Sequence, residues 1–115
     1  MVEKRYKMNQ LQLFDPITEP THDDGDTIEQ RFERFHEINP HVYEAIKQRA
    51  LNAKRAGATI GSVNRIFETL RYQPIETGGE EWRLNNTYRA LYARKIMDEA
   101  PFLTGFFRTR ARRVG

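Results

Sequence analysis

The chain has 115 residues and a mass of 13.6 kDa; it is 38% hydrophobic, 30% charged and 11% aromatic, and it contains no cysteine. Such a chain holds one small domain with tails, has no length for a second, and has no disulfides, thiol nucleophile or thiolate metal site. No run approaches the roughly 20 apolar residues of a membrane span, and residues 1–9 are polar and basic with no signal-peptide core behind them, so a cytoplasmic protein with no membrane partner is expected.

Charge is unevenly divided. Residues 1–30 hold three basic and seven acidic side chains, a net −4, whereas residues 31–115 hold sixteen basic and nine acidic ones, a net +7. A basic body behind an acidic leader suits contact with a polyanion through the body and with another partner through the leader. An ordinary solvated surface is the competing reading.

Residues 1–26 read as a flexible acidic leader. Within it, residues 15–26 (DPITEPTHDDGD) combine two Pro, one Gly and five acids with a single large apolar residue, too little burial to offset the entropy of ordering. A helical domain is expected over residues 27–110, followed by a basic tail at 111–115. Its first helix is announced by Asp26 as a cap with Glu29 three residues on, in capping-box spacing, and by the stripe Ile28, Phe32, Phe35 and Ile38. Asn39-Pro40 restarts the chain into a second helix over about 40–56, with Val42, Tyr43, Ile46, Ala50 and Ala53 inward. Lys54 and Arg55 complement the dipole of its last turn, and Gly57 supplies a left-handed stop.

After a very short connection, a third helix over about 61–71 turns Ile60, Val63, Phe67 and Leu70 inward and Ser62, Arg65, Thr69 and Tyr72 outward, with Ile66 at the border. Helical periodicity then fails. Pro74 bars a helix interior, and Thr77-Gly78-Gly79 marks a turn between two short segments that could pair as a β-hairpin. Leu84-Asn85-Asn86 opens a fourth helix reaching about residue 100, apolar on two sides and therefore central. A last short helix is expected over about 101–110, burying some of Phe102, Leu103, Phe106 and Phe107.

This order, helix, helix, tight turn, helix, hairpin, helix, is that of a mainly α, winged-helix-like helix-turn-helix domain with extra C-terminal helices. In such a module the helix after the short turn enters the major groove of duplex DNA and the hairpin reaches an adjacent groove or the backbone. On that mapping Ser62, Arg65 and Thr69 approach base edges or phosphates, with Arg71 and Arg83 holding phosphates beside the wing. Asn85, Asn86 and Arg89 are further candidates for DNA contact, although both Asn residues serve first as helix caps. Arg110, Arg112 and Arg113, with Arg108, would add a diffuse phosphate grip. The competing reading is a helical bundle whose exposed polar residues simply solvate it, and Glu68 on the same face opposes DNA.

The run 84–97 (LNNTYRALYARKIM), with 35–43 (FHEINPHVY) and 67–72 (FETLRY), resembles a group of small, mostly uncharacterised proteins encoded by bacteriophages and prophages. The resemblance spans roughly residues 31–110 and implies an origin in phage, with no activity attached. In the leader, Gln10-Leu11-Gln12-Leu13-Phe14 resembles the peptide by which bacterial polymerases and repair factors dock on the sliding clamp. That resemblance implies that Leu13 and Phe14 fill an apolar pocket, Leu11 its shoulder, and Gln10 its polar rim. The competing reading is an apolar anchor folding the leader back onto the body.

Catalytic chemistry is thin. His36 and His41 straddle Asn39-Pro40 and share no helical face, His22 lies among acids in the leader, and neither a phosphate-binding glycine loop nor a nucleophile-base order is present. No enzyme, metal or cofactor is expected. The first functional expectation is a phage-encoded, non-enzymatic DNA-binding accessory protein that docks on or interferes with the host polymerase sliding clamp. The alternatives are a protein-interaction factor that inhibits the clamp without touching DNA, and a phage transcriptional regulator.

Overall fold

Four α-helices build the body in the computed structural model, which describes residues 14–108 apart from the side chain of Thr77: α1 (Ile28–Ile38), α2 (Pro40–Arg55), α3 (Val63–Tyr72) and α4 (Arg89–Glu99). Among the described residues there is no named strand, and no helix is long and apolar enough to cross a membrane. The mainly α reading of the chain therefore holds.

α1 begins at a capping box displaced by one residue from the expected one. Thr27 is the cap: its hydroxyl accepts from the Gln30 N–H at 3.1 Å, and the Gln30 side chain accepts from the Thr27 N–H at 2.8 Å. Asp26 instead takes the Arg34 guanidinium, with Nη2 donating to Oδ1 at 3.1 Å, and this partner holds its carboxyl down at about 2. α2 follows the expected bounds closely. Gly57, at φ +107°, closes it by donating to the Lys54 carbonyl, while Ala58 donates back to Ala53, each at 3.0 Å.

The core lies between α2 and α4. Val42, Ile46 and Ala50 of α2 and Tyr92, Ala93 and Ile96 of α4 are completely buried, and Phe67 and Leu70 of α3 and Phe32 and Phe35 of α1 close over them. Phe32 meets Tyr92 edge-on at 4.8 Å and Tyr88 at 5.5 Å, so α1 and α4 share an aromatic layer.

Three further expectations about the body are corrected. The hairpin over residues 72–84 does not form. A 3-10 helix occupies Gln73–Thr77, because Pro74 is well suited to a first turn, and Gly78 at φ +87° stops it. The following extended chain is held by Trp82 donating its backbone N–H to the Arg71 carbonyl at 2.9 Å, and by its indole, which is 1% exposed. The helix expected over 101–110 is one 3-10 turn, Pro101–Leu103, ended by Gly105 at φ +75°. Phe106 and Phe107 are nonetheless buried, because the extended chain beyond the turn runs beside Gly61.

Ile60 is the third case. Expected inside, it is 49% exposed, because the chain there turns its Gly61 edge to the interior. Gly61 donates to the Phe106 carbonyl at 2.9 Å, and a Cβ built on it would stand 2.1 Å from Phe106 Cε2. Only a glycine permits that approach.

Residues 14–26, read from sequence as part of a flexible leader, lie along the body. Phe14 and Ile17 pack against the core. The Asp15 carbonyl accepts from Trp82 Nε1 and His41 Nε2, both at 3.0 Å. Asn39, 1% exposed, receives the Thr18 N–H on its side-chain oxygen and donates its amide to the Thr18 carbonyl, both at 2.8 Å. Two buried polar side chains thus find their partners in the backbone of this strap.

Candidate nucleic-acid interface

The face of α3 that turns away from α2 and α4 carries Asn64, Arg65, Glu68, Thr69, Arg71 and Tyr72, all exposed. Its period is set by Phe67 and Leu70, which occupy the opposite side and anchor the helix in the core. Beside this face opens a cleft of about 420 Å³, lined by Phe67, Glu68, Arg71, Glu81, Arg83, Leu84 and Asn86. Its far wall is the extended chain after the 3-10 turn, so the segment expected to form a wing still flanks α3, held by the Trp82–Arg71 backbone bond rather than by strand pairing.

The candidate DNA-binding residues divide into three groups by what their polar atoms already do. Ser62 caps α3, its hydroxyl accepting from the Arg65 N–H at 3.2 Å, and Asn85 caps the 3-10 turn before α4, accepting from the Thr87 N–H at 2.9 Å and hydroxyl at 2.7 Å. Those oxygens are committed to the backbone. Arg71 is committed to acids: its Nε donates to Glu81 at 2.9 Å, Glu68 lies 3.7 Å from Nη1, and the guanidinium stacks over Tyr72 at 5.5 Å. Arg89 turns back on the Asn86 carbonyl at 3.2 Å.

The third group is available. Arg65 and Arg83 are exposed, and neither has an ion-pair or hydrogen-bond partner for its guanidinium among the described residues; Thr69 and the Asn86 side chain are exposed beside them. Arg83 and Asn86 line the cleft, and Arg65 and Thr69 stand on the helix bordering it. Gln10, Leu11 and Leu13, and at the other end Arg110, Arg112 and Arg113, lie outside the described residues. Phe14, the last residue of the leader motif, is half-buried with its ring 5.7 Å from Trp82.

Sequence reasoning missed the residues that organise this side of the molecule: Trp82, Glu81, Asn39 and His41. The one tryptophan of the chain, set in a polar stretch, was the available signal, since so large an apolar surface is seldom left in water. Comparison with protein-family models, with curated proteins and with solved structures yields no match.

Proposed function

We propose that this chain is a non-enzymatic, phage-encoded accessory protein of the bacterial cytoplasm, which grips duplex DNA through α3 and docks on the host sliding clamp through Gln10, Leu11, Leu13 and Phe14. α2, the turn at 56–62 and α3 are read as its helix-turn-helix unit. The observation that carries the DNA half is the pair of unneutralised guanidiniums on the +7 part of the chain, Arg83 lining the polar cleft and Arg65 exposed on α3, the helix that borders it. Two free cations suit phosphates, with Thr69 exposed on α3 and Asn86 in the cleft as hydrogen-bonding groups. The clamp half rests on the match of Gln10-Leu11-Gln12-Leu13-Phe14 to the docking pattern.

Pull-down of the full chain from bacterial lysate, with and without nuclease, tests both halves. Retention of the clamp in both conditions, together with a salt-sensitive mobility shift of duplex DNA by the pure protein, is the expected result. A second reading, occupation of the clamp without DNA contact, is favoured by Glu68 and Glu81, which place two carboxylates in the same cleft. It wins if the clamp is retained and no duplex shift appears even at low salt.

A further inference from the structure

Phe14 has two claims on it. It completes the clamp-like peptide, and its ring packs against Trp82 at an interplanar angle of 51°. Resting on the clamp reading above, we propose that the body is an intramolecular competitor for that peptide: the strap at residues 14–18 must leave its seat before the peptide can dock, so the closed protein is autoinhibited toward the clamp.

The strap is fixed over its whole length. Immediately after Phe14, the Asp15 carbonyl receives Trp82 Nε1 and His41 Nε2. A carbonyl only accepts, so His41 carries a hydrogen on Nε2, while its Nδ1 is buried without a partner among the described residues. Ile17 packs on the core, and Thr18 and Asn39 exchange two hydrogen bonds. Successive residues span at most about 3.6 Å each, so a pocket that engulfs Phe14 must come within one residue of a carbonyl held against a 1%-exposed indole. The body and such a partner would overlap. Release must therefore extend past Asp15 to the Thr18–Asn39 exchange, where the chain is next secured.

The consequence is a tax on affinity: a partner that binds only the open form sees its apparent constant weakened by the fraction of molecules open. With the strap closed in nine molecules of ten or more, the full chain binds at least about tenfold more weakly than the isolated peptide. The test compares a synthetic peptide of residues 8–14 with the full chain on purified bacterial sliding clamp. Two strap variants of the full chain are included: Ile17→Ala, which removes packing, and Thr18→Pro, which removes the N–H that Asn39 accepts. Neither residue belongs to the peptide or to a helix. Expected are tighter binding by the peptide, recovery of most of the gap in both variants, and a shift of the single fluorine resonance of a chain carrying fluorotryptophan at position 82 as clamp is added. Equal binding by peptide and full chain, or an unmoved resonance at saturating clamp, overturns the competition and leaves the clamp reading standing. A peptide that does not bind overturns both.

Discussion

Gly61→Ala adds one methyl group where the core has no space. The new carbon would lie 2.1, 2.6 and 2.9 Å from three atoms of the Phe106 ring, so the ring must move by about 1 Å or more to restore an ordinary contact of about 3.5 Å. It has little room to do so, being 1% exposed and set edge-on to Phe107 at 5.3 Å. Overpacking of this kind costs about 1–3 kcal/mol. Displacing the chain at 106 also weakens the Gly61–Phe106 hydrogen bond, worth about 1 kcal/mol, while alanine returns about 0.5 kcal/mol by stiffening the unfolded chain. The balance is a loss of about 1.5–3.5 kcal/mol, or roughly 6–20 °C in melting temperature for a domain of this size. Calorimetry of the two proteins measures it. A second variant, Gly61→Ala with Phe106→Leu, should lose less than the two single changes together, since both act on one contact. A melting temperature for Gly61→Ala within about 2 °C of the parent would refute the claim that the α2–α3 turn and the chain at 106–107 are locked together.

Tyr92→Phe should be neutral or stabilising by up to about 1 kcal/mol in thermal unfolding, because the buried Tyr92 hydroxyl has no hydrogen-bond partner among the described residues and its pKa is pushed up, first by burial and then by Tyr88. His36 is held below its usual 6.5, first by burial and then by Lys95, so the unfolded chain takes up its proton first; stability should fall as pH drops from about 7 toward 5, and His36→Gln should flatten that limb of a denaturation series. Asp26 acts in a separate, more acid window: with its carboxyl lowered from 3.8 to about 2 by Arg34, the stability it contributes is present above pH 3.8 and lost as pH falls through 2, and Asp26→Asn should remove that dependence. On duplex DNA, Arg65→Ala and Arg83→Ala should each weaken binding several-fold and reduce the salt slope, whereas Arg71→Ala, whose guanidinium already serves Glu81, should change it less than twofold; a larger loss for Arg71 in a mobility-shift titration would contradict the assignment.

The parts of this fold that were legible in the sequence are those decided by neighbours in the chain. Pro40 and Gly57 bound α2 as local chemistry requires, and the Phe67–Leu70 side of α3 follows from a period of 3.6. Where long-range partners decide, the local signals pointed elsewhere. Thr77-Gly78-Gly79 is a fair hairpin turn, but the chain beyond it is taken up by the Arg71 carbonyl and by burial of Trp82, so no strand pair forms. Residues 15–26 look unable to order themselves, and by composition they are; their partners, Asn39 and Trp82, lie 21 and 67 residues away along the chain. The candidate interface was legible as a helix face. Which of its side chains were already engaged as caps or ion pairs was not, because a serine or arginine reads the same whether or not its polar atoms are in use.

The bond between Gly61 and the chain at 106–107 also sets an order of events during synthesis. α2 and α3 are complete once residue 72 has been made, yet the seat beside Gly61 stays empty until Phe106 follows, 45 residues behind it. Until then α3 presents apolar surface with nothing to cover it at its first turn, and α4, which packs against both helices, is itself still arriving. Ribosomes add about 5–20 residues per second, so this half-built state persists for a few seconds on every chain. A protease or chaperone that samples nascent chains would meet this protein at that stage, when Gly61 and an alanine in its place are still alike, because the Phe106 ring that tells them apart has not yet arrived.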